Sequence, residues 1–512
     1  MAELFKNYIG GKWVDASSGK TLENRNPANW DEVIGLFPRS DKRDVDEAVA
    51  SAREAFRKWS LFPAPRRADI VKRAGDIMVE RKEELAREMT REMGKVLIET
   101  RGDVQEGIDT AYYSAGEGRR MFGVTAPSEL PNKFTMSVKM PVGVAGIITP
   151  WNFPMAIPTW KIFPALVAGN TIVFKPASDT PKTATTLVEI LIEAGVPDGV
   201  INIVHGGGND VGMAIVEHPG IDLISFTGST LVGKKISELA AKDLKRVSLE
   251  LGGKNAQLVM DDANLELALD GILWGAFGTT GQRCTATSRL ILHEKIYDKF
   301  LDMLVERASK LKLGNGLDES VEVGPCINEA QRQKVHSYVE IGKKEGAKLL
   351  MGGEYATGGA LDKGWFYKPT IFADVDPHMT IAQEEIFGPV LSVIKVKDID
   401  EGIEVLNGTI YGLSSSVYTK NINNAFKAMR DIKAGITYIN APTIGAETHM
   451  PFGGVKQTGN GHREGGSSAF DFFTEVKTIY VDFSDRLQRA QIDTYGSSQK
   501  TEKKIRGNHD LE

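Results

Sequence analysis

Apolar residues recur along the chain with two periods, and the change from one to the other outlines the fold. From Ser40, a residue type that caps helices, Val45, Val49, Ala52, Phe56 and Trp59 fall at helical spacing. A highly charged stretch from Arg66 to about Arg101 reads as a second helix, so the first hundred residues read as helices. Between about 120 and 142 polar and apolar residues alternate, as in FTMSVKM, which predicts a hairpin.

From residue 142 strand and helix alternate. VGVAGIIT (142–149), TIVFKP (171–176), INIV (201–204), DLISF (222–226) and AQLVM (256–260) predict strands. Helices are expected from about Ile157 to Val167, Lys182 to Ala194, near 209–217, and Thr230 to Ala241. Apolar strands separated by such helices imply right-handed crossovers and a parallel sheet covered on both faces. The first structural expectation is therefore a doubly wound α/β domain. After Glu250 the alternation restarts with RLILHE and YDKFLDMLVERASKLKL and runs to about 440, which predicts a second α/β domain. FDFFTEVKTIYVDF (470–483) is expected to be a late strand pairing with the hairpin, and the polar residues from Tyr495 a frayed tail.

Composition narrows the classes. At 512 residues, and roughly 100–200 residues per domain, two to four domains are expected. The 62 basic and 68 acidic residues leave a net charge of −6, which argues against nucleic-acid or membrane-surface binding. Two cysteines supply neither a disulfide framework nor a four-cysteine zinc site. The eight histidines lack metal-ligand spacing, and neither an HExxH nor a G-x-S-x-G occurs, so no metal is expected. The N-terminus has no apolar signal region, so an intracellular, cytoplasmic location is expected. Met140 to Trp160 is uncharged and long enough to span a bilayer, but Pro141, Pro150, Pro154 and Pro158 would break a spanning helix.

Four places could carry chemistry. Phe226-Thr227-Gly228-Ser229-Thr230 sits where a strand gives way to a helix, a position that receives phosphate on backbone amides. With Gly233 and Lys234 it nearly matches a P-loop, but Lys235 stands where the Mg²⁺-binding hydroxyl is needed; tight packing alone also produces such turns. Cys284 lies among small polar residues with Arg283 beside it, a setting that fits a nucleophile better than the usual buried cysteine; Cys326 reads as structural. Glu250 precedes Gly252-Gly253-Lys254, either as a general base freed by glycine flexibility or as a partner of Lys254. Asn152 lies between Pro150 and Pro154 at a strand's carboxyl end, where a rigid amide could donate to an oxyanion.

Taken together, TPWNFP at 149, FTGS at 226, LELGGKN at 249, GQRC at 281, EEIFGP at 384 and PFGG at 451 resemble the aldehyde dehydrogenase superfamily, in its order and over nearly the whole chain, with the family's spacing between Glu250 and Cys284. The resemblance implies a Rossmann-like cofactor domain (residues 1–122 and 142–250), a catalytic domain (251–450) and a small β oligomerisation arm (123–141 and 466–485), with 495–512 as a polar tail. It implies Cys284 as nucleophile, Asn152 and the Cys284 N–H as oxyanion donors, Glu250 as the base that activates water, and Lys161 as a proton-relay partner. The implied cofactor contacts are Thr149, Pro150, Trp151, Lys175, Ser178, Gly208, Gly212, Thr227, Gly228, Ser229, Gly233 and Leu251, with Glu385 and Phe387 at the nicotinamide end. NAD-selective relatives often carry glutamate where this chain has Ser178. Serine removes the repulsion of a 2′-phosphate, so NADP is expected to be accepted alongside NAD, with a preference for NADP left open. T-G-N-G-H-R-E, ending at Glu464, is one residue longer than the family's common form and looks most like the 2-oxoglutarate semialdehyde (2,5-dioxovalerate) dehydrogenase branch. Arg283 is the implied grip for a substrate carboxylate, unless it pairs with a carboxylate of the protein; Thr285, Glu106 and Phe452 complete the implied substrate set. Aminoadipic, succinic and simple aliphatic aldehydes are the alternatives within the family. A P-loop-like nucleotide-binding protein is the alternative outside it, and a homodimer or homotetramer is implied.

Overall fold

The computed structural model describes residues 2–492, so the tail expected from Tyr495 lies outside the described residues. The chain is α/β and builds two seven-stranded sheets, a three-stranded sheet and a short ribbon. In the first large sheet the spatial order is Arg246–Glu250, Leu223–Thr227, Val144–Ile148, Thr171–Lys175, Ile201–Ile203, Asn7–Ile9 and Lys12–Val14. The first five run parallel and the last two antiparallel. Val144–Ile148 is buried along its whole length, as a strand covered on both faces must be. From it the chain winds outward through Thr171–Lys175 to Ile201–Ile203, then returns to the other side at Leu223–Thr227. That reversal opens a crevice at the carboxyl ends of Val144–Ile148 and Leu223–Thr227, where doubly wound sheets receive ligands.

Apolar clusters cover both faces of this sheet. One joins Phe163, Leu166, Ile172 and Phe174 to the helices between residues 64 and 117; the other joins Val45, Val49, Ile148 and Ile215. The early residues differ from the helical reading. Residues 7–38 form strands, and helices begin only at Lys42. The helix Lys42–Trp59 is capped by Asp41 in a capping box, not by Ser40, because Asp44 answers from the third helical position. The stretch read as one helix from Arg66 to Arg101 is three: Ala64–Glu80, Lys82–Met93 and Leu97–Glu117. Gly94 divides the last two at φ +87°, a left-handed stop that glycine adopts without steric cost.

Glu250 closes the first sheet and Asn255–Val259 opens the second, so AQLVM belongs to the second sheet and not to the series before it. That sheet is ordered Lys348–Met351, Thr370–Ala373, Val390–Val396, Thr287–His293, Asn255–Val259, Ser414–Tyr418 and Ile436–Ile439, parallel except for its first strand. Thr474–Asp482 pairs antiparallel with Lys133–Pro141 over nine residue pairs, as the alternation predicted. The preceding FDFF is instead a short helix, Ser468–Phe472, with Phe470, Phe472 and Phe473 packed into the first domain's core. Among the described residues no helix is long and apolar enough to cross a membrane.

Candidate active site

Cys284 stands on a turn that few sequences could make. The helix Leu265–Phe277 ends in a short 3₁₀ turn, in which Thr279, Thr280 and Gly281 take φ of +52°, +58° and +67° before the strand Thr287–His293 begins. A Cβ at Gly281 would lie 2.2 Å from the Gly388 carbonyl oxygen, so only glycine lets the turn rest against the 384–388 loop. The Cys284 carbonyl accepts from Asn255 Nδ2 at 2.7 Å, and a Cβ at Gly253 would sit 2.6 Å from that same oxygen. The turn is thus locked to the first residues of the second sheet. Burial pushes the Cys284 thiol up to about 12, and the carboxylates of Glu385 and Glu250 add to the shift.

Glu250 ends its strand with both carboxylate oxygens buried and without a hydrogen-bond partner. Burial raises its pKa well above the usual carboxylate range; the Glu464 charge raises it further, while Lys161 opposes. Lys161, on the helix Ala156–Ala168, is fully buried, donates to Ser225 Oγ at 3.0 Å and pairs with Glu464. An orphaned buried carboxyl beside a buried ion pair is costly, and such groups concentrate at sites that handle protons. Asn152 is buried in the loop between Val144–Ile148 and the same helix.

These elements enclose one cavity of about 390 Å³. Cys284, Glu250, Arg283, Thr285, Glu106, Phe452, Thr227 and Leu251 all line it, as does Glu464; Asn152 adjoins it through Phe153, and Lys161 through Glu464. Arg283 is not a free fork: its Nε donates to Thr279 Oγ1 at 2.8 Å and its Nη2 to Glu99 Oε1 at 3.0 Å. A carboxylate in the cavity therefore meets what remains of the guanidinium, and the two-pronged grip expected from sequence is already engaged by the protein. Burial pushes Glu106 up to about 8, with Asp103 adding and Lys95 and Arg283 opposing. Phe452 stacks edge-on against Trp160 at 5.1 Å, and Thr285 contributes its carbonyl to Thr443 Oγ1.

The expected cofactor residues follow the carboxyl edge of the first sheet. The Thr149 N–H donates to the Lys175 carbonyl at 3.2 Å, joining two neighbouring strand ends. Pro150 leads to Trp151, whose ring meets Phe387 edge-on at 5.3 Å. Phe387 holds φ +61°, and Glu385 two residues earlier accepts from the Gly253 N–H at 2.9 Å. Ser229 caps the helix Thr230–Ala241 through Val232 N–H at 3.4 Å. Gly228 packs against Phe226, and Gly233 is the close-packing glycine, its Cβ position only 2.4 Å from Leu251. Lys175 is buried and lowered to about 8, while the Ser178 hydroxyl donates to the Gly206 carbonyl at 3.1 Å. A dinucleotide fits this edge. Thr227 keeps a buried hydroxyl with no partner, and a Cβ at Gly208 or Gly212 would meet nothing within 4 Å, which leaves open backbone on that side. Among the described residues no group of three or more His, Cys, Asp or Glu could hold a metal.

A sequence profile of the aldehyde dehydrogenase family matches residues 13–479. The chain belongs to the aldehyde dehydrogenase family. Its alpha-ketoglutaric semialdehyde dehydrogenase from Bacillus subtilis is 44% identical over 477 residues, covering 93% of this chain and 98% of the relative. The alpha-ketoglutarate semialdehyde dehydrogenase of Haloferax volcanii is also 44% identical, covering 94% and 99%. The crystal structure of betaine aldehyde dehydrogenase from Staphylococcus aureus in complex with NAD⁺ superposes with a TM-score of 0.92 at 38% identity, covering 94% of this chain and 95% of that one.

Sequence reading left out several of the family fold's local contributors. Glu464, named in the sequence as the end of the T-G-N-G-H-R-E motif but not among the site residues, lines the cavity. Glu99 carries a fainter signal: with Asp103 and Glu106 it falls at positions that share one helix face. Asn255, which holds the cysteine carbonyl, closes the LELGGKN stretch.

Proposed function

We propose that this chain oxidises an ω-oxo acid, 2-oxoglutarate semialdehyde foremost, to the dicarboxylate with NAD or NADP. The observation that carries the reading is the single cavity lined by Cys284, Glu250 and Glu464 at the edge where a dinucleotide fits. The names of the two relatives at 44% identity support the substrate, and the NAD⁺-bound relative supports the cofactor class.

In this reading Cys284 Sγ, once deprotonated, attacks the aldehyde carbon. Asn152 Nδ2 and the Cys284 N–H stabilise the oxygen that becomes anionic; losing one such donor typically costs ~10²–10³ in rate. Lys175 and Glu385 would hold a dinucleotide, which would supply the hydride acceptor. Once the carbon is oxidised, the acyl group remains on Cys284 as a thioester. Glu250 then takes a proton from water as the water oxygen adds to the thioester carbonyl. The C–S bond breaks, the acid leaves and Cys284 is freed as thiolate, with Lys161 and Glu464 behind Glu250 to pass the proton on. Lys175 holds the ribose hydroxyls, and Ser178, lacking a carboxylate, leaves room for a 2′-phosphate. The domain boundaries at 122, 142, 250 and 450 belong to the same reading, and the sheet formed by Thr125–Pro127, Lys133–Pro141 and Thr474–Asp482 joins copies into a dimer or tetramer.

The test is nicotinamide reduction by the purified chain with NAD and NADP separately, across 2-oxoglutarate, succinic and aminoadipic semialdehydes and propanal. The expected result is the highest kcat/KM with 2-oxoglutarate semialdehyde, turnover with both cofactors, and a loss of at least ~10⁴-fold in Cys284→Ala. Activity confined to uncharged aldehydes would remove the ω-oxo acid assignment, and activity surviving in Cys284→Ala would remove the mechanism.

A further inference from the structure

The helix Leu97–Glu117 presents Glu99, Asp103 and Glu106 to the cavity, spaced so that all three share one face. Glu99 and Asp103 each hold a different part of the site. Glu99 accepts the Thr279 N–H, at 2.8 Å and 3.0 Å to its two oxygens, and the Arg283 guanidinium at 3.0 Å. Asp103 accepts the Ala156 N–H at 2.7 Å, where the helix behind Asn152 begins, and the Lys95 ammonium at 2.8 Å. Between these two anchor points lies Phe153, the residue after Asn152. Its ring has Lys95 Nζ 3.4 Å and the Arg283 guanidinium carbon 5.3 Å from its centre. The Arg283 and Glu99 side chains are only 11% and 7% exposed, so solvent screens their pairing less than it would a surface pair.

We propose that Glu99 is a positioning residue: by holding Thr279 and Arg283 it fixes the left-handed turn that presents Cys284, in register with the Asn152 loop that Asp103 holds from the same helix. The proposal rests on Cys284 being the nucleophile. Three consecutive residues with positive φ, two of them threonine, persist only where the surroundings hold them. Glu99 supplies that hold at the first of the three through its amide, and at Arg283, the residue before the cysteine, through its side chain. One rigid helix thereby sets the distance between the thiol and the amide that must meet on a single carbonyl group.

The experiment compares Glu99→Ala and Glu99→Gln with the unaltered protein, using propanal and 2-oxoglutarate semialdehyde with saturating NAD, alongside thermal melting. Because a displacement of about 1 Å at a reacting group costs about 10²-fold, Glu99→Ala is expected to lower kcat about 100-fold. The factor should be the same for both aldehydes, and KM for NAD should stay within about twofold, since the cofactor edge is untouched. Glu99→Gln keeps an oxygen for the Thr279 N–H and should recover about tenfold of that loss. A kcat in Glu99→Ala within about twofold of the unaltered protein would overturn the proposal, as would glutamine performing no better than alanine. A loss confined to the charged aldehyde would also overturn it, by making Glu99 a substrate-recognition residue acting through Arg283. Should the alanine variant not fold, glutamine alone decides, since a role limited to stability lowers the melting temperature and leaves kcat of the folded enzyme unchanged. Cys284→Ala separates the two levels: if it still turns over aldehyde the catalytic reading fails, whatever Glu99 does.

Discussion

At the scale of single residues, the site is defined by protons held in place by burial. Glu250 is raised by desolvation and by Glu464, and Lys161 is the opposing charge. Removing that cation disfavours the carboxylate further, so Lys161→Ala should move the ascending limb of kcat against pH to higher pH. One nearby opposite charge is worth roughly one pH unit or more, and a kcat profile from pH 6 to 10 measures it; an unmoved limb would separate Lys161 from the base. Cys284, Glu250 and Asn152 were readable in the sequence because their motifs are compact and ordered. Glu464 and Glu99 were harder, because their partners Lys161 and Arg283 are supplied by segments far along the chain.

At the scale of elements, the short turn around Gly281 joins the cysteine to the loop that carries Glu385 and Phe387. Its positive φ and the 2.2 Å approach of a Cβ to backbone leave no soft atom to yield. Gly281→Ala is expected to destabilise the fold by about 1–3 kcal/mol and to cut activity more than that loss alone would, read by denaturant melting and steady-state turnover on the folded fraction. The buried crossovers Ala156–Ala168 and Pro181–Ala194 lay close to where hydrophobic spacing placed them, since a covered parallel sheet imposes apolar runs that survive in the sequence. Residues 7–38 were misread because Asn7–Ile9 and Lys12–Val14 are only three residues each, and Thr21–Asn26 and Asn29–Pro38 pair as a ribbon of mixed burial that carries no regular apolar alternation. The charged helices from Ala64 to Glu117 blurred into one because their breaks fall at Arg81 and Gly94, and only the glycine is a visible stop.

At the scale of the whole molecule, the three-stranded sheet leaves Val476 and Tyr480 about two-thirds exposed on one face, and Val481 and Phe134, paired across the strands, 45% exposed on the other. Apolar side chains left exposed in this way fit the contact surface proposed for this sheet. Replacing Val476 and Tyr480 together by lysine is expected to shift the sedimenting species to a smaller assembly while the isolated chain remains folded; an unchanged mass would place the contact elsewhere. Within each chain, the reacting groups sit where the carboxyl ends of one sheet face the amino ends of the other, and the helix Leu97–Glu117 spans that meeting. The cavity wall is consequently of two kinds. Ile98 stands at its mouth, 75% exposed and apolar, whereas Glu99, the very next residue, is tied to the turn that carries Cys284, and Trp274 lies 6.0 Å under the Arg283 guanidinium of that same turn. For anyone redesigning this enzyme toward new aldehydes, diversity belongs at position 98, and a library that spills over by one residue, to 99, is expected to surrender about 100-fold in turnover along with the anchor of the turn.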